Sequence, residues 1–210
     1  MRTVIFDFDG TVIDIESKYK YVFGAITGLG SSTQDFFWKS KQSGASTDEI
    51  LRLIREVALS RDDFLHLWRA RIETQEALTW DTLHPGAVKG LEEFSTKVNL
   101  ILCTARQNEL NLHNQLEILG IREFFTEVLV TKQINSKYGV VQNFLESSHM
   151  SLNEGDWFVG DTVEDISTGQ LLGTQTCGVL SGLTPLEKFK AMTLPPTIVL
   201  EDAVKFLKEF

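Results

Sequence analysis

Only two of the 210 residues are cysteine, and Cys103 and Cys177 both fall inside apolar, strand-like runs. Two buried thiols do not make a disulfide framework and fit a reducing compartment. No stretch approaches the ~18 consecutive apolar residues of a membrane-spanning helix. The first strand-like segment begins almost at Met1, so no basic-then-apolar leader is expected and the expected location is the cytoplasm. Lysine and arginine number 20 against 29 aspartates and glutamates, giving a net charge of −9 with no basic run. That balance argues against nucleic acid or an anionic membrane as partner and leaves room for a small basic pocket. The histidines, His66, His84, His113 and His149, show no paired ligand spacing, and neither cysteine belongs to a cluster, so zinc has little support. Internal repeats and low-complexity segments are also absent, and Pro195-Pro196 marks a loop.

What is present is a series of short apolar, β-rich runs. They are TVIFDFD (3–9), VNLILCT (98–104), EVLVT (127–131), DWFVG (156–160), TQTCGVL (174–180) and TIVL (197–200). From residue 84 onwards they alternate with helical spacing, as in Val88, Leu91 and Phe94, and in Leu112, Leu116 and Leu119 before Gly120. Continuous apolar strands alternating with helices predict a doubly wound parallel sheet, a Rossmann-like α/β core covered on both faces. Residues 15–80 break the pattern. They hold no convincing strand and at least two well-marked helices. Ser46 with Glu49 forms a capping-box signature before Ile50, Ile54 and Val57, and Phe64, Trp68 and Ile72 form a second stripe. The expected organisation is an α/β core of residues 1–14 and 81–210 with an inserted α-helical domain, 15–80. An insertion after the first strand lies at the strand ends where such sheets bind ligands. Within it, the polar stretch WKSKQSGAS (38–46) reads as a loop that could bring Lys39 or Lys41 to an anionic substrate.

The first strand ends in Asp7-Phe8-Asp9-Gly10-Thr11. Side chains at i and i+2 of a strand share a face, and two carboxylates about 4 Å apart repel by roughly 4 kcal/mol at an effective dielectric near 20. Something positive must offset that. Thr104 follows the second core strand, Lys137 opens an apparent helix, and Asp161 and Asp165 follow the fourth core strand one helical turn apart. In a parallel sheet these positions reach one edge. Four clustered carboxylates require a cation, and all-oxygen ligation favours a hard ion, Mg²⁺.

DFDGT, CTAR, Lys137 and GDTVED, in that order, resemble the four motifs of the haloacid dehalogenase superfamily of aspartate-dependent phosphotransferases. The helical insertion is similar to the C1 cap of subfamily I, the group of the phosphoglycolate phosphatases and sugar phosphatases. The resemblance implies a Mg²⁺-dependent phosphomonoester hydrolase acting on a small phosphorylated metabolite, as a monomer or homodimer. Asp7 would be the nucleophile that forms an aspartyl-phosphate, and Asp9 the general acid and base. Asp7, the Asp9 backbone carbonyl, Asp161 and Asp165 would hold the metal. Thr104, the Ala105 backbone and Lys137 would bind the phosphoryl oxygens. Lys132 lies close enough to compete with Lys137, which lacks the prolines that often follow it in relatives. Arg106 could lie on the pocket rim, with an exposed position at a helix start as the more ordinary expectation, and Asp14 has no assigned chemistry. A phosphomutase of the same fold, which would differ in cap residues, and a non-catalytic binding protein on this scaffold are the alternatives.

Overall fold

The computed structural model describes residues 2–210. Its strands are β1 (Thr3–Phe6), β2 (Ile13–Asp14), β3 (Thr82–Leu83), β4 (Asn99–Thr104), β5 (Glu127–Val130), β6 (Trp157–Gly160), β7 (Gln175–Val179) and β8 (Ile198–Leu200). Six of them form one sheet in the order β5-β4-β1-β6-β7-β8, and every pairing is parallel. The chain builds outward from β1 to one side, then returns to build on the other. That reversal leaves a crevice at the carboxyl ends of β1 and β6, the place where open α/β sheets take ligands. β2 and β3 pair separately in a two-stranded ribbon. The chain divides into two compact units, Met1–Asp14 with Leu83–Phe210, and Ile15–Thr82.

The unit Ile15–Thr82 is helical: α1 (Glu16–Thr27), α2 (Ser31–Gln42), α3 (Thr47–Leu53), α4 (Arg61–Arg71) and α5 (Gln75–Leu78). Its centre is Phe23, Phe37, Ile50, Leu51, Ile54 and Phe64, with Trp68 and Val57 packed at the margin. Phe23 and Phe37 stack at 4.4 Å between centroids. The capping box is in place, with Ser46 N–H donating to Glu49 Oε2 at 2.7 Å and Glu49 N–H donating to Ser46 Oγ at 3.2 Å. The helix it opens is shorter than the apolar spacing predicts. Ile54 leaves helical geometry at φ −92°, ψ 89°, so Val57 reaches the core from a turn. A buried ion pair, Lys18 Nζ to Asp81 Oδ2 at 2.8 Å, ties the first helix of this unit to its last residues.

Residues 38–46 are not a loop. Trp38 to Gln42 complete α2, Trp38 is buried, and only Ser43 to Ala45 turn, with Gly44 at φ 82°. Lys41 donates to Thr47 Oγ1 at 2.6 Å and lies 5.9 Å from the Phe37 ring centroid, while Lys39 is exposed. The lysine stem packs on its own helix, which is how a long cationic side chain covers apolar surface.

The other helices, α6 (Ala87–Ser95), α7 (Glu109–Ile118), α8 (Lys137–Ser148), α9 (Val163–Leu171), α10 (Leu186–Lys190) and α11 (Ala203–Glu209), belong to the sheet unit. On α6 the buried stripe is Ala87, Leu91 and Phe94, so Val88 points outward and is 41 % exposed. On α7 Leu112 and Leu116 are buried, and Gly120 follows at φ 64°. Alternation along β1 explains why its strand is apolar throughout. Ile5 packs with Ile101, Cys103, Phe158 and Val141 of α8, while Phe6 meets Phe206 of α11 edge-on at 5.8 Å. Cys103 and Cys177 are free and buried, and burial pushes both thiols up to about 12, which keeps them protonated. Among the described residues no helix is long and apolar enough to cross a membrane.

Candidate active site

Each strand of the crevice delivers one group, all within the sheet unit. Beyond β1 the Asp7 N–H still donates to Val159 O at 2.8 Å, so Asp7 is held in register with β6. The chain then folds back on itself. The Phe8 carbonyl accepts from the N–H groups of Thr11, Val12 and Ile13, and Gly10 sits at φ 78°. A β-carbon at Gly10 would stand 2.9 Å from Asp161 Oδ2, so this turn requires glycine for its dihedral and for the carboxylate beside it. Asp161 follows β6. Asp165 lies in the first turn of α9, where it forms a capping box with Thr162: its Oδ2 accepts from Thr162 N at 2.9 Å and Thr162 Oγ1 at 2.5 Å. Ser136 caps α8 by accepting from Gly139 N at 3.1 Å, which makes Lys137 the first residue of that helix.

These placements converge. Asp7, Asp161 and Asp165 each bring one carboxylate oxygen into a group spanning 4.8 Å, and all three residues are buried. Lys137 Nζ donates to Asp7 Oδ1 and to Asp165 Oδ1, both at 2.5 Å. Asp161 accepts from Thr11 Oγ1 at 3.2 Å and from the Leu183 N–H at 2.7 Å. Burial above all raises the Asp7 pKa well above the usual carboxylate value; Lys137 draws it down, while Asp165 and Asp161 push it up. Asp161 is raised to about 6 by burial and by Asp165, against the lowering effect of the Leu183 N–H. For Lys137, burial opposes the charged form, but Asp165 and Asp7 together outweigh it and raise its pKa well above the usual lysine value.

Asp9 is not part of that cluster. Its carboxylate is clasped by Arg106, with Nε donating to Oδ2 at 2.5 Å and Nη2 to Oδ1 at 2.8 Å. The two aspartates of the first motif therefore have separate cations, Lys137 for Asp7 and Arg106 for Asp9. Arg106 is buried rather than exposed at a helix start, and its pairing with Asp9, beyond a place on the pocket rim, is what the sequence did not show. No local pattern marks it, since the partner that buries it lies 97 residues away. Of the two candidate lysines, Lys137 is in the cluster, whereas Lys132 is exposed and pairs with Glu109 Oε2 at 2.8 Å. Thr104 ends β4 and is buried, and Ala105 is exposed beside it.

The acidic group could hold a metal. Three carboxylates face one cationic side chain, Lys137, an excess of two negative charges that one divalent cation balances, while Arg106 balances Asp9. Raised carboxyl pKa values in a buried, all-oxygen site describe the same deficit, and oxygen ligands suit a hard ion such as Mg²⁺.

A parallel α/β core with a carboxylate cluster and a buried lysine at its carboxyl edge defines an enzyme-like site, and the comparisons with known proteins agree. Residues 4–179 match the model of the haloacid dehalogenase-like hydrolases, and the chain belongs to that family. Pyrophosphatase PpaX of Oceanobacillus iheyensis is 24% identical over 212 residues, covering 96% of this chain and 93% of that protein. A haloacid dehalogenase-like hydrolase, SP0104 from Streptococcus pneumoniae, superposes with a TM-score of 0.72 at 20% identity over 99% of this chain and 97% of its own. The HAD-hydrolase YfnB from Bacillus subtilis, solved bound to magnesium, superposes with a TM-score of 0.67 at 17% identity over 99% and 97%.

Proposed function

We propose that the protein is a Mg²⁺-dependent phosphatase that hydrolyses a small phosphomonoester through an aspartyl-phosphate on Asp7. The observation that carries this reading is the Asp7 carboxylate at the end of β1, bonded at 2.5 Å to a buried lysine and grouped with Asp161 and Asp165. In the first step a carboxylate oxygen of Asp7 forms a bond to phosphorus, the bond from phosphorus to the leaving oxygen breaks, and Asp9 gives that oxygen a proton. In the second, Asp9 takes a proton from the water that attacks phosphorus, and the bond to Asp7 breaks to release phosphate. Thr104 and the Ala105 N–H would hold the non-bridging oxygens, and Lys137 offsets charge on them. Asp7, Asp161, Asp165 and the Asp9 carbonyl would hold Mg²⁺, which supplies positive charge for the transferring group. The helical unit, 15–82, would act as the cap that selects the substrate.

A second reading is hydrolysis of a phosphoanhydride by the same groups, favoured by the likeness to a protein named pyrophosphatase. One panel tests both: phosphomonoesters and inorganic pyrophosphate, each with Mg²⁺ and with chelator. Turnover that requires Mg²⁺ supports the proposal, and the preferred substrate decides between the readings. Metal-independent turnover, or none on any phosphate compound, contradicts both.

A further inference from the structure

The Arg106 clasp has no part in the chemistry so far described. Its guanidinium is buried and presents two N–H groups edge-on to both oxygens of Asp9. It is itself oriented from two directions. Nη2 also donates to Gln115 Oε1 at 3.2 Å, from the second turn of α7, and the guanidinium carbon lies 5.6 Å from the centroid of the Phe8 ring. Phe8 sits between the two aspartates and is fully buried, so the platform beneath Arg106 is fixed by the same turn that carries Asp9. Asp9, by contrast, is the partly exposed member, with its side chain 26 % accessible. A short side chain on a tight turn, open to solvent on one side, has several rotamers available. A bidentate fork removes that freedom and sets the plane of the carboxylate. It does so without using up the oxygens, because each carboxylate oxygen has a second lone pair.

We infer that Arg106 is the positioning residue for Asp9: through its fork, and with Gln115 behind it, it aims the Asp9 carboxylate for proton transfer at the leaving oxygen and at the attacking water. This inference rests on the proposed phosphatase reading and adds to it a residue that acts through Asp9. A point charge at the end of a flexible stem cannot replace a planar fork, so Arg106→Lys should not restore the function.

The test separates a positioning role from a structural one by leaving group. Single-turnover phosphorylation would be followed for the full-length protein, Arg106→Lys, Arg106→Ala, Gln115→Leu and Asp9→Asn, each with Mg²⁺. Two substrates would be used, a nitrophenyl phosphate, whose leaving group needs little protonation, and an alkyl phosphate, whose leaving group needs it. Both Arg106 variants are expected to slow the alkyl ester by about 10-fold or more while changing the nitrophenyl ester less than about 3-fold, the pattern of a lost proton transfer. Gln115→Leu should show the same pattern to a smaller extent. In an Asp9→Asn background, removing Arg106 should cost nothing further, since residues that act as one unit are not additive. Equal losses on both esters, or additive losses in the double variant, would overturn the inference, as would full activity of Arg106→Ala on the alkyl ester. Failure of the phosphatase reading looks different: no phosphoryl transfer to Asp7 in the unaltered protein with either ester. Thermal unfolding of each variant identifies one that does not fold, and Arg106→Lys and Gln115→Leu, which keep most of the buried volume, then decide the question.

Discussion

Gly182 stands against the Asp161 carboxylate so closely that a β-carbon there would lie 1.9 Å from Oδ2 and 2.2 Å from Cγ. The loop after β7 thus approaches the site by backbone alone, and the next residue, Leu183, donates its N–H to the same oxygen at 2.7 Å. Ser181 adds a hydroxyl bond to the Gly10 carbonyl at 2.7 Å, joining this loop to the turn that follows β1. Gly182→Ala must displace the carboxylate or the loop. Groups that orient a metal ligand typically contribute about 10–100-fold in affinity or activity, so calorimetric titration should show Mg²⁺ affinity reduced on that scale. Gly30→Ala, where an added carbon meets nothing within 4 Å, serves as the control. Unchanged Mg²⁺ binding by Gly182→Ala would mean that Asp161 is not a ligand.

Lys137 and Lys132 can be told apart by stability. Lys137 is the buried partner of two buried carboxylates. Breaking a buried ion pair from one side typically costs about 3–5 kcal/mol, so Lys137→Met should lower the denaturation midpoint markedly. Lys132→Ala removes only an exposed contact to Glu109 and should leave the midpoint unchanged within error. Equal effects of the two would contradict the placement of Lys137.

The raised carboxyl pKa values set a pH dependence. Burial, with Asp165 beside it, raises the Asp161 pKa from the ordinary carboxylate value to about 6, and Asp7 is raised as well. A group whose folded pKa lies above its unfolded one stabilises fully below the unfolded pKa, and that contribution is lost as pH rises through the folded pKa. Without metal, stability attributable to Asp161 should therefore fall between about pH 4 and pH 6 and stay low above it. A divalent cation reverses the charge deficit, so the rise in melting temperature on adding Mg²⁺ should be larger at pH 8 than at pH 5. An equal rise at both pH values would disconnect the cation from these carboxylates.

The six strands of the main sheet were legible because their apolar runs are continuous, as in Ile5 and Phe6, which pack against α8 and α11. The two-residue β2 and β3 are too short to carry a pattern. The order of motifs placed Asp7, Lys137, Asp161 and Asp165 correctly at one sheet edge because parallel strands deliver their carboxyl ends together. Two further helices of residues 15–80 are weakly marked for local reasons. α1 has no side-chain cap and carries Lys18 on its buried face, neutralised by Asp81 63 residues on. α2 opens with the polar Ser31 to Asp35, which imitates a loop until Phe37 and Trp38 are seen to be buried. The burial of Arg106 was not legible because it depends on a distant partner, in this case Asp9.

The covalent step is the centre of the account, and it can be observed directly. Protein quenched in acid during turnover of a phosphomonoester with Mg²⁺, then digested and mapped by mass spectrometry, should carry a phosphoryl group on Asp7. The group should accumulate further in Asp9→Asn with an activated ester, because attack of water is then the slower step. A phosphoryl group on any other residue, or turnover with none trapped in either protein, would contradict the assignment of Asp7 as nucleophile.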